Sequence, residues 1–350
     1  MNAPDAPPVR LTSLSHGGGC GCKIAPRVLE QIIARSAPGI LPRALLVGIE
    51  TGDDAAVYQI NESQAIVATT DFFMPIVDDP YDFGAIAATN AISDVYAMGG
   101  TPLFALALVG MPINALPTET IRRILEGGES VCARAGIPVA GGHSIDSVEP
   151  IYGLVAIGLV HPKQVKRNAD ARAGDTLVLG KPLGVGIYSA ALKKDALGDE
   201  RYKAMIASTT QLNTPGPRLA QLQGVHALTD VTGFGLLGHL LEVCKGSNVA
   251  ARVDWKRVPL LSGVLDLVQQ GHKTGASGRN WSSYSALVDL GPCGEREQVL
   301  LTDPQTSGGL LVACAPEAVD QVLALFRADD FGQAAVIGEV SAGPPGVAVA

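Results

Sequence analysis

The chain has 350 residues, 47% of them hydrophobic and 17% charged, which is typical of a globular protein with enough chain for two domains. The net charge of −8 and the sequence pI near 5.3 argue against a nucleic-acid-binding protein, because such proteins carry a basic footprint. The longest apolar runs, at residues 103–111 and 151–160, are far shorter than the ~18–20 residues of a membrane-spanning helix, so we expect no membrane protein.

The cysteines and the first residues bear on the location of the protein. Six cysteines are too few and too scattered for a disulfide scaffold. Four of them stand alone, mostly in apolar surroundings, and we interpret them as small buried hydrophobic residues: Cys132, Cys244, Cys293 and Cys314. Residues 1–10 contain no apolar signal core, so we expect a cytoplasmic protein.

The predicted elements alternate along the chain. The first half is predicted to contain a helix at 26–35, strands at 44–48, 55–60 and 64–70, a helix at 83–98, a strand at 103–111, a helix at 117–135, and strands at 137–140 and 151–160. Polar residues at 161–174 indicate a domain junction. The second half is predicted to contain strands at 176–180, 250–253, 308–313 and 334–340, and helices at 186–194, 200–208, 216–223, 234–245 and 315–326.

This order of elements favours an α+β protein over a strictly parallel sheet, because several strands follow one another directly. We divide the chain into a flexible Gly/Cys-rich segment at 1–25, a domain at 26–165 and a second domain at 166–350. The tail beyond residue 340 predicts no element.

The segment at 17–23 combines four glycines, the thiols of Cys20 and Cys22, and Lys23. Glycine adopts positive φ freely and loses entropy when ordered, so we expect a loop that is mobile until a ligand binds. No second Cys/His pair completes a zinc site, and a disulfide across one glycine would be strained. Reactivity remains, because Lys23 would stabilise a thiolate and could pair with phosphate.

Carboxylates stand at unusual positions in this sequence. Asp53 and Asp54 precede a strand, Asp71 ends an apolar strand, Asp94 lies within an alanine-rich helix, and Asp230 ends a short apolar segment. Buried carboxylates are unfavourable unless they are neutralised, and Mg²⁺ held together with substrate phosphates neutralises them well. For Asp53, a simple turn is the alternative.

Asn90 and Asp94 are four residues apart, so they share one face of the predicted helix at 83–98. On a face of small residues, an amide and a carboxylate could approach a nucleotide and its metals. The alternative is an N-cap or a satisfied polar pair in the core.

Three glycine-rich or small polar segments could contact phosphate. Gly141, Gly142, His143 and Ser144 follow the predicted strand at 137–140, where backbone N–H groups could cradle an anion, although His143 could equally be a capping residue. Residues 230–235 open a helix, whose N-terminus favours anions. Residues 303–309 form either a tight turn or a ligand contact. The chain has no P-loop, kinase catalytic set or dinucleotide fingerprint.

Together these motifs closely resemble the selenophosphate synthetase family, from about residue 11 to residue 340. The resemblance is carried by residues 16–23, 51–57, 69–73, 90–100, 141–144 and 229–238. The aspartate motifs are those of the wider superfamily of aminoimidazole ribonucleotide synthetase-like ATP-binding enzymes. The Gly-Cys-Gly-Cys-Lys loop is that of the selenium branch.

The resemblance implies an activity and a fold. ATP, selenide and water would give selenophosphate, orthophosphate and AMP, with Mg²⁺ required and K⁺ as an activator, and the product would supply selenium for selenocysteine and selenouridine. Two α+β domains are implied, with the N-terminal domains of a homodimer forming a barrel-like core and the C-terminal domain forming an α/β sandwich. A transient selenium-delivery protein would be a further partner.

The resemblance also implies roles for individual residues. Cys20 would be the catalytic cysteine, with Lys23 as its partner at the phosphates. Three aspartates match metal ligands: Asp54, Asp94 and Asp230. Besides Lys23 and Asp94, the implied ATP contacts are Thr51, Gly52, Asp53, Asp71, Gly142, His143 and Ser144.

Two other functions remain as alternatives. Another enzyme of the same superfamily, such as a thiamine-monophosphate kinase or an aminoimidazole ribonucleotide synthetase, would share the aspartates but would not explain the loop with Cys20 and Lys23. A non-enzymatic selenium carrier would use the two thiols, but it would leave the separate aspartates unexplained.

Overall fold

The computed structural model describes residues 9–24, 28, 32, 42–48 and 52–350. Of the helix predicted at 26–35, only Val28 and Ile32 fall within this part of the chain, and both are helical and exposed. The other residues of that helix, and Thr51, lie outside the described residues.

The first half of the described chain forms a six-stranded sheet with the order β1-β2-β3-β6-β4-β5. Its pairs are antiparallel except for β4 and β5, which are parallel. The strands are β1 (Leu45–Val47), β2 (Ala56–Gln59), β3 (Ala65–Phe73), β4 (Thr101–Met111), β5 (Val139–Asp146) and β6 (Ile151–Val160). Its two helices are α1 (Pro80–Ala97) and α2 (Thr118–Arg134).

Helix α1 is the central element of the molecule. It begins after Asp79, whose side chain accepts a hydrogen bond from the backbone N–H of Asp82, and it has proline in its first turn. It contacts α2 and the first sheet on one side and elements of the second half on the other, so nearly all of it is buried. This explains why α1 is apolar and alanine-rich around its whole circumference.

The second half forms a mixed seven-stranded sheet with the order β10-β13-β9-β12-β7-β11-β8. The strands are β7 (Thr176–Leu179), β8 (Val225–Asp230), β9 (Ala250–Val253), β10 (Val288–Asp289), β11 (Leu310–Cys314), β12 (Ala335–Ser341) and β13 (Gly346–Val349). The helices are α3 (Val185–Leu192), α4 (Asp199–Thr209), α5 (Gly216–Gln221), α6 (Gly235–Ser247), α7 (Val264–Gln269), α8 (Gly275–Tyr284), α9 (Glu295–Leu301) and α10 (Val319–Ala328).

The two halves share an apolar core. The largest cluster of buried residues runs from the first sheet and α1 into α3 and α4, through Val185, Tyr188 and Met205. The cysteines that stand alone follow the prediction in part, since Cys132, Cys244 and Cys314 are buried whereas Cys293 is half-buried. No helix within the described residues is long and apolar enough to span a membrane.

The α+β class is confirmed, but three details differ from the sequence prediction. The structure adds β8, and between residues 255 and 301 it adds α7, α8, α9 and β10. The tail adds β13. The third difference concerns residues 141–144. The first sheet is open within the described residues, with β1 and β5 at its edges, so the barrel-like core expected of two chains stays a prediction.

Residues 141–144 were expected to form a loop, and they lie inside β5 instead. Gly141 and Gly142 have φ values of +148° and +155°, which favour glycine. A Cβ atom on Gly142 would lie 2.1 Å from the carbonyl oxygen of Ala107 in β4. The two glycines therefore allow β5 to pair closely with β4, where the prediction had placed the end of the strand.

Candidate active site

Three carboxylates meet where the two halves of the chain touch. Asp54 precedes β2, Asp94 lies on α1 and Asp230 ends β8. One oxygen from each lies within 4.8 Å of the others. The aspartates singled out in the sequence as metal ligands are therefore brought together by three separate elements.

Each carboxylate in this cluster accepts a hydrogen bond from one hydroxyl group. The hydroxyl of Thr229 donates to Asp54 at 2.9 Å, that of Thr69 donates to Asp94 at 2.5 Å, and that of Ser93 donates to Asp230 at 2.5 Å. The Oδ2 atom of Asp54 is buried and has no hydrogen-bond partner among the described residues. A buried, unpartnered carboxylate oxygen is unfavourable, so a bound cation would stabilise it.

The electrostatics of the cluster agree with that conclusion. Burial raises the pKa of Asp54, Asp94 and Asp230, and the negative charges of neighbouring aspartates raise it further. Oxygen ligands in a buried, mutually repelling set suit a hard divalent cation. The residues present therefore fit a magnesium site.

The thiol loop is docked beside these carboxylates. Residues Gly19–Cys22 form a 3-10 helical turn, and Cys20 is only 3% exposed. The Cys20 thiol donates to the Oδ1 atom of Asn90 at 3.1 Å, and its backbone N–H donates to the hydroxyl of Thr306 at 3.2 Å. Gly19 has a φ of +55°, and a Cβ atom there would lie 2.3 Å from the same hydroxyl.

Asn90 connects the loop to the rest of the site. Its Nδ2 group donates to Asp71 at 2.6 Å, while its Oδ1 atom accepts from Cys20 and from the backbone N–H of Ser307 at 2.7 Å. The ammonium group of Lys23 lies 3.7 Å from the Oδ1 atom of Asp71. One buried amide thus holds the thiol, the carboxylate that pairs with Lys23, and the loop after α9 in a fixed arrangement.

Burial and Lys23 act on the Cys20 thiol in opposite directions. Burial raises the pKa of this thiol, and the positive charge of Lys23 lowers it by a smaller amount, in the direction that the sequence predicts. The largest influence on Lys23 is Asp71, which raises the pKa of its ammonium group. Lys23 therefore pairs mainly with this carboxylate and acts on the thiol more weakly.

Comparisons with known proteins agree with this site. The family described as AIR synthase related protein, N-terminal domain, matches residues 52–160, and its C-terminal domain counterpart matches residues 172–350. The selenide, water dikinase of Burkholderia ambifaria is 70% identical over 348 residues, which are 99% of this chain and 98% of that protein. The chain belongs to the selenide, water dikinase family.

Solved structures show that selenide, water dikinases share their fold with other kinases and maturation proteins. A thiamine-monophosphate kinase from Stenotrophomonas maltophilia superposes with a TM-score of 0.64 at 22% identity, covering 94% of this chain and 96% of the other. The hydrogenase maturation protein HypE in complex with ATP gives a TM-score of 0.59 at 17% identity, covering 97% and 94%. The two-domain, AIR synthase-like α+β fold is thereby confirmed, and the family makes the chain a kinase-type enzyme.

Not all residues predicted for the site lie together. Asp53 accepts a hydrogen bond from the backbone N–H of Asn168 at 2.7 Å and lies outside the three-carboxylate cluster. Gly142, His143 and Ser144 are exposed on β5, which β6 and β4 separate from β3 and its Asp71.

Several polar residues of the site were missed in the sequence. Thr306 accepts a hydrogen bond from the thiol loop, and the backbone of Ser307 donates to Asn90. Both residues lie in the segment 303–309, which the sequence analysis interprets as either a tight turn or a ligand contact. Asn213 donates to the hydroxyl of Ser93 at 2.7 Å and to the carbonyl oxygen of Gly308 at 2.9 Å. Ser93 lies between Asn90 and Asp94 in a motif already singled out, whereas nothing in the sequence marked Asn213.

Proposed function

We propose that this selenide, water dikinase family member converts ATP, selenide and water into selenophosphate, orthophosphate and AMP. The observation that carries the proposal is the position of Asn90 and Asp94 on one face of α1, since Asn90 binds the Cys20 thiol and Asp94 belongs to the carboxylate cluster. The thiol that would react with selenide and the carboxylate that would bind Mg²⁺ and phosphate are thereby positioned by residues one helical turn apart. The product would supply selenium for selenocysteine and selenouridine.

Asp54, Asp94 and Asp230 are the proposed ligands of Mg²⁺, with K⁺ as an activator. The unpartnered Oδ2 atom of Asp54 and the raised pKa of all three carboxylates support this assignment. Bound Mg²⁺ would neutralise phosphate charge during phosphoryl transfer.

The loop is proposed to place Cys20 and Lys23 at the terminal phosphate of ATP. Lys23 carries a positive charge beside Asp71 that would face phosphate oxygens. The buried Cys20 thiol would handle selenide in a pocket from which water is excluded. The further proposed ATP contacts are Thr51, Gly52, Asp53, Asp71 and Asp94.

A homodimer is proposed because Gly142, His143 and Ser144 are also proposed to contact ATP. Two intervening strands place β5 about 14 Å from β3 at a spacing of about 4.8 Å per strand, so a second copy would have to bring these residues to the aspartates. Exposed apolar side chains on the first sheet support such an interface: Tyr58, Phe72 and Ile145 are 46%, 53% and 57% exposed. Two sheets joined in this way would form the barrel-like core.

A cytoplasmic location is also proposed. All six cysteines lie in the described part of the chain and are free, which suits a reducing compartment. A selenium-delivery protein remains a proposed transient partner.

Nucleotide analysis tests the proposed activity. Under anaerobic conditions with ATP and Mg²⁺, AMP should accumulate only when selenide is added. Formation of ADP alone, or AMP at the same rate without selenide, would contradict it.

A further inference from the structure

A cleft separate from the carboxylate cluster runs along the loop that carries Cys20. Its volume is about 580 Å³, and it is bordered by the loop, by α3 and by the first turns of α8. None of the four site aspartates lines it, whereas Gly21 and Cys22 do. The loop therefore contacts the acidic site through Cys20 and Lys23, and it contacts the cleft through Gly21, Cys22 and Lys23.

This cleft is basic in an acidic protein. Among the described residues, its lining contains no Asp or Glu, although the chain as a whole carries a net charge of −8. The described lining contains six basic residues: His16, Lys23, Lys193, Lys194, Lys273 and Arg279. Charges of one sign around a concave surface concentrate counter-ions, so the cleft attracts small anions.

Lys193 and Lys194 are the basic side chains of this lining that are available to a ligand. By contrast, Lys273 pairs with Glu295 at 2.9 Å, and Arg279 donates to the carbonyl oxygen of Gly21 at 2.9 Å. Lys193 and Lys194, just after α3, are exposed and form no ion pair with a carboxylate in the described ranges.

Cys22 adds a thiol to the basic lining. Burial raises the pKa of this thiol, while the positive charges of Lys193 and Arg279 act in the opposite direction. Glu149, which pairs with His16 at 2.9 Å, is the acidic group that also raises it. Two positive side chains and one negative side chain therefore act on Cys22, and the reactivity of its thiol can be used to measure the electrostatic potential of the cleft.

The proposed reaction needs such a feature, because it brings two anions together. Selenide is present as hydrogenselenide near neutral pH, and three buried carboxylates and the phosphates of ATP would repel it. We propose that the basic cleft captures the selenium donor as hydrogenselenide, a small chalcogen-bearing anion, before it reaches Cys20. This inference rests on the proposed function. The cleft volume lies within the ~300–1,000 Å³ of small-molecule sites, so it has room for this anion.

Alkylation of Cys22 tests the potential of the cleft without any selenium chemistry. Anionic iodoacetate and neutral iodoacetamide should be compared at low ionic strength, with peptide mass spectrometry to follow Cys22 and with Cys293, outside the cleft, as internal reference. The ratio of the two rates cancels any change in thiolate fraction. At Cys22 this ratio should fall at least about threefold in the K193Q/K194Q variant. An unchanged ratio would overturn the inference.

Kinetics test the capture of the donor. K193Q/K194Q should raise the KM for selenide at least about fivefold at low salt and leave kcat and the KM for ATP near wild type. The control K163Q/K203Q removes the same charge from exposed lysines outside the cleft. The same KM for selenide in K193Q/K194Q and wild type would overturn the inference, whereas failure of the proposed function would show as wild type without selenide-dependent turnover.

Discussion

The thiol of Cys20 donates a hydrogen bond to the side-chain oxygen of Asn90 at 3.1 Å, across 70 positions of sequence. Asn90 is fully buried, and its amide group also donates to Asp71. This contact joins the glycine-rich loop to the helix that carries Asp94, so it couples loop docking to the geometry of the carboxylate cluster.

Asn90→Ala should disturb both activity and stability. The substitution leaves the backbone N–H of Ser307 without its buried acceptor and removes the donor to Asp71, so we expect a loss of about 3 kcal/mol in the free energy of unfolding. Urea denaturation measures it. Thr89→Val, one residue earlier on α1, replaces only the hydroxyl that is bonded to the carbonyl oxygen of Ala85 and should cost about 1 kcal/mol. Equal losses for the two variants would refute the connecting role of Asn90.

Cys20→Ser should abolish selenophosphate formation and leave the fold intact. Serine keeps a donor to Asn90 but is a much weaker chalcogen nucleophile, so we expect a drop of at least about 100-fold in selenide-dependent turnover. Circular dichroism and thermal melting check the fold. Cys293→Ser, at a half-buried thiol outside the site, serves as control. Full activity in the Cys20 variant would rule out a chemical role for this thiol.

Asp54→Asn should have opposite effects with and without ligand. Removing one of three mutually repelling buried carboxylates should raise the melting temperature of the ligand-free protein. The stabilisation by Mg²⁺ with a non-hydrolysable ATP analogue, about 2.7 kcal/mol for wild type at 100-fold above Kd, should nearly disappear. Glu62→Gln makes the same charge change on the surface, and this variant should keep the stabilisation by Mg²⁺ and the ATP analogue. A ligand-induced shift of wild-type size in the Asp54 variant would exclude it as a metal ligand.

Asp303 should make stability depend on pH. Burial raises its pKa to about 8, despite hydrogen bonds from Gly186, Ile187 and Gln305. As pH rises from about 4 to 8, the unfolded chain releases this proton while the folded protein keeps it, so each unit favours unfolding by up to about 1.4 kcal/mol. Asp303→Asn lacks this proton, so it should gain stability relative to wild type between pH 5 and 8. Urea denaturation at pH 5, 6.5 and 8 would show parallel curves if Asp303 does not titrate in this range.

Ile145→Glu should disrupt the proposed dimer. Ile145 is 57% exposed on the edge strand β5, where a buried charge in a dimer interface would be strongly unfavourable. Light scattering should give a dimer mass for wild type and a monomer mass for the variant, together with weaker ATP binding. Leu287→Glu, at an exposed position in the second half, should remain dimeric. A monomeric wild-type protein would remove the basis for assigning Gly142, His143 and Ser144 to the ATP site.

The sequence predicted the long elements and the acidic cluster well. Periodicity located α1 and β6 because each combines length with a continuous apolar pattern. Five aspartates stood out because carboxylates are rare in apolar surroundings, and the family resemblance selected Asp54, Asp94 and Asp230, which the structure brings together.

The remaining parts of the site depend on long-range contacts that one sequence does not contain. Thr306 and Ser307 resembled a turn because their partners, Cys20 and Asn90, lie more than 200 positions away. The elements between residues 255 and 301 are short and weakly patterned, and tertiary contacts stabilise them. The burial of Cys20 depends on its contacts with Asn90 and Thr306, which local composition did not reveal.

Phosphorus NMR with ⁷⁷Se-enriched selenide tests the central claim most directly. The protein is incubated anaerobically with ATP, Mg²⁺ and the labelled selenide. The proposed reaction predicts a new phosphorus resonance split into a doublet by one bonded selenium nucleus, together with orthophosphate and AMP. Orthophosphate and ADP without any selenium-coupled resonance would contradict it.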